Sequence, residues 1–175
     1  MNKKYISPFV SGFAAGVLQI VPLLKGFACC SVIPAAAYFS LLLDKKANKS
    51  EENISFKKAA VFGILTGLTA AIFATVFEVI ITLITKNNDI VFALPELNKM
   101  FNGMPVDPKI KQELISIMEN IAKQIKTNGF SLFYTISILF NNLFINIIFG
   151  FIGGVISMQI LNKRKDIQWL PVLFF

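Results

Sequence analysis

Glu78 is the only acidic residue placed inside a long apolar run of this sequence. An ionisable group in such a setting marks an ion or proton path by default. Its depth argues for a second reading. Counting from Lys58 at about 1.5 Å per residue puts Glu78 roughly 30 Å along its helix, at the far interface, where a carboxylate meets water. Four amides stand nearby in the same count. Asn141 and Asn142 reach a similar height when counted back from Leu161, Asn146 lies about one turn deeper, and Gln19 is level with Asn146. Gln19, Glu78, Asn142 and Asn146 are therefore expected to meet as a polar cluster in the outer third of a helix bundle. Amide bonds between helices are ordinary glue there, typically worth about 1 kcal/mol or less. A transported substrate or ion could use the same groups.

Other chemistries are closed off by residue type. There is no His, which removes imidazole relays, most zinc sites, His-ligated haem, and Ser-His-Asp or Cys-His catalysis. The two cysteines, Cys29 and Cys30, are adjacent, so they make neither a CxxC motif nor a spaced framework. They are expected to be buried free thiols; a vicinal disulfide or lipidation are the alternatives. No paired intramembrane carboxylates and no nucleophile–base pair are visible. We expect no catalytic residue, no metal and no cofactor.

The elements that must position these residues follow from composition. Of 175 residues, 55% are hydrophobic and 15% charged, against about 25% charged in soluble domains. Lipid has to solvate the excess. Four spanning helices are predicted, at about 6–24, 27–43, 59–85 and 142–161. The first run is too long for the apolar core of a secretory signal and is read as a retained span. Only Lys25 and Gly26 separate it from the second, which implies a tight helical hairpin; one longer re-entrant unit is the other arrangement. Pro34 should kink the second helix. The run at 59–85 is long enough to require tilt. Phe130–Phe140 is read as an interfacial or protruding lead-in to the last span.

The loop 86–129 is expected to face the exterior. Its first part, with Pro95, the Asn102–Gly103 turn signal and Pro105, reads as mixed. An amphipathic helix follows over 107–126, with Asp107 at the N-cap, Pro108 in the first turn and Gly129 as the stop. Ile110, Leu114, Ile117, Ile121 and Ile125 form its apolar stripe. That stripe suits the membrane surface, the bundle or a partner equally.

Charge sets the orientation. Lys3, Lys4, the five lysines of the 44–58 linker, and Lys163, Arg164 and Lys165 gather on one side if there are four spans. Retention of positive charge in the cytoplasm then places both termini there, with Trp169 at the interface. This accounts for the net charge of +7 without nucleic acid as a partner.

Three helices carry glycines four apart: Gly12 and Gly16, Gly63 and Gly67, Gly150 and Gly154. Such pairs let helix backbones approach closely in lipid. Packing within the chain is the first expectation and a homodimer interface the second.

The Gly-rich first helix, the cysteine pair, AAAYFSLLL, ISFKKAAVFGILTGL and NIIFGFIGGVIS together resemble a family of small bacterial four-helix membrane proteins that form a domain of unknown function. The resemblance implies a topology and no active site. The expected protein is an all-α, multi-pass component of a bacterial inner (plasma) membrane. Its expected role is structural or accessory, beside a membrane protein partner or as a homo-oligomer. A small transporter or channel is the alternative.

Overall fold

The computed structural model describes residues 5–49, 52–103, 105 and 107–168. Lys3, Lys4 and Trp169, used above for orientation, lie outside them. All regular structure among the described residues is helical.

Helix α1 covers Ile6–Leu18 and stops well short of residue 24. Pro22 has no N–H to return to Leu18, and it biases the preceding residue away from helical backbone. Val21 is accordingly extended, with ψ 120°. The chain nevertheless keeps its bonds through the break. The N–H groups of Gln19, Ile20 and Val21 reach the carbonyls of Ala15, Val17 and Leu18 at 3.0, 3.2 and 3.2 Å. A single turn, α2 (Pro22–Lys25), follows.

A π-helical turn at Ala28–Val32 then leads into α3, Ile33–Ala47. The kink expected inside the second helix is thus replaced by a wide turn just before Pro34. Pro34 cannot donate to Cys30, and the widened backbone absorbs that missing bond. Helix α3 also runs four residues past 43, so Asp44 is helical and buried.

Helix α4 is Phe56–Thr85, 30 residues, or about 45 Å. The expectation of a mixed segment after it is corrected: α5, Asp89–Gly103, runs straight through Pro95. Asn88 Oδ1 caps it by accepting from the Val91 N–H at 3.0 Å. Ile90 and Val91 pack on a cluster of Ile121, Ile125 and Tyr134. Burial of such side chains is worth on the order of 1–2 kcal/mol each. That offsets an interior proline penalty of about 3 kcal/mol.

Helix α6 is Pro108–Asn128, ending two residues later than expected. Asp107 Oδ1 accepts from the Lys109 N–H at 2.8 Å, and Gly129 closes the helix in the left-handed region at φ 72°. Only part of its stripe is used. Ile121 and Ile125 are buried, whereas Ile110, Leu114 and Ile117 are exposed.

Helix α7, Leu132–Gln168, is one helix of 37 residues. The lead-in from Leu132 and the expected span from 142 thus belong to one continuous helix. Asn141, Asn142 and Asn146 do not break it: Asn141 is exposed, and Asn142 and Asn146 bond to groups outside their own helix.

Three helical stretches are long and apolar enough to cross a membrane: Ala28–Ala47, Phe56–Thr85 and Leu132–Lys163. At 13 residues, α1 is about 20 Å long and alone falls short of a hydrocarbon core of about 30 Å.

The chain forms two compact units. The first lies within Met1–Thr75 and Leu139–Phe175, and the second is Val76–Ile138. Helices α4 and α7 contribute to both. The first unit has two apolar centres, one around Leu41, Phe62 and Leu161 and one around Ala15, Ile33 and Ala70.

Candidate functional site

The first unit is organised by close helix crossings. A Cβ added to Gly63 would run into the carbonyl of Gly150, one on Gly150 into that of Gly63, and one on Gly67 into the carbonyl of Asn146. Gly154 meets Ala59 in the same way. The four glycines thus lie along one seam between α4 and α7. Gly12 would place a Cβ 2.6 Å from the Thr66 carbonyl, and Gly16 would place one 2.8 Å from Phe73 Cβ, so α1 lies equally close to α4. Gly153, outside the four-residue spacing, faces Pro34 on α3. Its only sequence signal is the doubled glycine at 153–154.

The polar residues pair along these crossings. Asn146 Nδ2 donates to Gln19 Oε1 at 3.1 Å, and both residues are buried. Gln19 lies just past the last residue of α1, where the backbone turns. Asn142, one turn away from Asn146 on α7, donates to Thr75 Oγ1 at 3.0 Å, and Thr75 donates to the Ala71 carbonyl at 2.8 Å. The structure thus brings Gln19 to Asn146 and gives Asn142 a hydroxyl partner instead.

Glu78 belongs to the second unit. There the Tyr134 hydroxyl donates to its Oε1 at 3.1 Å. Hydrogen bonds thus pair Gln19 with Asn146, Asn142 with Thr75 and Glu78 with Tyr134. Axial counting fixes height along a helix but not the azimuth at which a side chain leaves it.

Two further polar contacts of the first unit carry no obvious sequence signal. Asn162 Oδ1 accepts from the Ile54 N–H at 2.9 Å while its Nδ2 donates to the Ile54 carbonyl at 3.1 Å. This pair ties the linker to α7. Asp44 is 3% exposed and sits 2.5 Å from Lys58 Nζ, off the hydrogen-bonding direction at Oδ2.

Cys29 and Cys30 are free, with Sγ atoms 3.5 Å apart. The expectation of burial is corrected: within the π turn Cys29 is half-buried and Cys30 exposed. Among the described residues no group of three His, Cys, Asp or Glu could hold a metal ion.

The Gln19–Asn146 contact gives a direct test of the amides as glue. A double-mutant cycle with Gln19→Leu and Asn146→Leu is expected to yield a coupling of about 0.6–1 kcal/mol, measured by unfolding in detergent. A coupling indistinguishable from zero would remove that role.

A family model described as "Protein of unknown function (DUF4199)" matches residues 4–163. No curated protein matches the chain, and no solved structure matches it.

Proposed function

Since this chain belongs to the DUF4199 family of proteins of unknown function, we propose that it is a non-enzymatic, four-crossing component of a bacterial plasma membrane. In this reading it is a structural or accessory subunit with both termini in the cytoplasm. The observation that carries it is the glycine seam, where backbone meets backbone along α4 and α7. Helices that close have no pathway between them, and their packing energy depends on that contact.

The first crossing is completed by α1, the hydrogen-bonded turn at Gln19–Val21 and α2. Irregular backbone is tolerated at membrane depth when its polar groups are satisfied within the protein. The N–H bonds through the break and the Gln19–Asn146 contact meet that requirement. Basic residues at the linker and at both ends favour the cytoplasm for those segments. A transporter would need its amides open to a water path. Asn146 is 2% exposed, which favours glue.

One set of cells tests both parts. With Cys29 and Cys30 changed to Ser, Phe27→Cys should react with a membrane-impermeant maleimide from outside. Tyr5→Cys should react only after permeabilisation. Labelling of Tyr5→Cys in intact cells would leave three crossings. Cross-linking in the same membranes, followed by mild detergent, should recover a defined larger species. A monomer without a stoichiometric partner would end the subunit reading.

A further inference from the structure

A partly open, almost wholly apolar groove of about 500 Å³ runs between α1 and α3 in the first unit. Alanines from both helices (Ala14, Ala15, Ala35 and Ala36) make the space. The volume lies in the range of ligand pockets, roughly 300–1,000 Å³. A further helix, about 10 Å across, would need several times that volume over the length of α1.

Three observations define what fits. The first is length. From Val10 to Leu18 the groove follows α1 for about 12 Å, close to the roughly 15 Å of hydrocarbon in one leaflet. The second is Ser11, which lines the groove. It is 6% exposed, and its hydroxyl has no hydrogen-bond partner. A buried hydroxyl without a partner is unfavourable, and an acceptor arriving in the groove would relieve it. The third is charge. Phe39 and Leu43 line the groove on α3. Lys46 is exposed and lies seven residues after Phe39 and three after Leu43, so it extends the same helix face. Ser11 and Lys46 stand toward the same end, because the hairpin runs α1 and α3 in opposite directions.

We propose that this groove is a specific site for one acyl chain of an anionic glycerophospholipid. Ser11 Oγ donates to the ester carbonyl oxygen, and the Lys46 ammonium receives the phosphate. Apolar walls, a single donor at ester depth and a cation at headgroup depth occur in the order in which such a lipid presents its parts. A basic side chain beside an anionic headgroup is worth about fivefold in affinity.

The proposal rests on the membrane reading above, and its test separates the two. The full chain is purified in mild detergent, supplied with equal amounts of phosphatidylglycerol and phosphatidylcholine, and examined by native mass spectrometry. One retained phosphatidylglycerol per chain is expected. Lys46→Gln should reduce its retention about fivefold and abolish the headgroup preference. Ala35→Leu, which fills the groove from a position already exposed, should expel both lipids. Lys57→Gln, exposed on α4, should change nothing. Equal loss in Lys57→Gln and Lys46→Gln would mean diffuse charge and overturn the site. So would retention of both lipids alike, or a chain that needs detergent yet keeps no lipid. A second copy of the chain retained in place of lipid would overturn it too. A chain monodisperse in buffer without surfactant would instead overturn the membrane reading.

Discussion

Gly63→Leu is expected to lower stability in detergent by about 3 kcal/mol, while Gly26→Ala raises it by about 0.4–1 kcal/mol. The contrast follows from what each new carbon would meet. At Gly63 it would enter the carbonyl of Gly150, with the Gly154 Cα behind it. Backbone of a facing helix cannot rotate aside as a side chain can, so α4 and α7 must separate. Separation undoes the neighbouring contacts of Gly67 with Asn146 and of Gly154 with Ala59 as well. Gly26 has nothing within 4 Å and a right-handed φ of −66°. Alanine adopts that conformation freely and narrows the unfolded ensemble. Reversible unfolding of the two variants and the parent, followed by circular dichroism in one detergent, makes the comparison. A Gly63→Leu variant within about 0.5 kcal/mol of the parent would mean that the two helices do not touch as described.

Why the glycines were legible and much else was not has a physical explanation. A glycine four residues from another lies on the same face whatever the tertiary structure, so sequence alone gives the seam's position on each helix. The Asp107 cap, Pro108 and the Gly129 stop were legible for the same reason, since each acts on the backbone next to it. Partners distant in sequence were not. Thr75 and Tyr134 look like helix surface residues until the fold supplies Asn142 and Glu78. Proline was hard to read: Pro34 follows a π turn at the start of α3 instead of kinking the helix from inside. Pro95 reads as a breaker, yet packing around Ile121 and Ile125 holds α5 through it. Pro22 ends α1 at Leu18 and leaves Gln19 at the turn where it meets Asn146.

Asp44 shows the same limit, and it carries the other large expected effect. It reads as the first polar residue of a linker. In the structure α3 continues through it, on the face that already buries Ala37, Ser40 and Leu41. Helical spacing therefore carries the carboxylate inward. Lys58 comes from the first turn of α4 and also lies 5.6 Å from the Phe62 ring centre. Each charge sits at the wrong end of its own helix dipole: an acid near a C-terminus and a base near an N-terminus. Neither placement helps its own helix, so the pairing between helices is what retains them. The Asn48 amide adds a bond to Asp44 Oδ1 at 3.0 Å. Lys58→Met leaves that carboxylate buried without a countercharge, which should lower stability by about 3 kcal/mol, the lower end for a broken buried pair. Asp44→Asn retains a carbonyl for Asn48 and frees a lysine that is already 33% exposed. Its loss should be about 1 kcal/mol. The double change Asp44→Leu with Lys58→Met removes both charges and should recover much of the single-variant loss. Unfolding of the three variants in one detergent orders them. If Lys58→Met is no worse than Asp44→Asn, the carboxylate is solvated and α3 does not carry it inside.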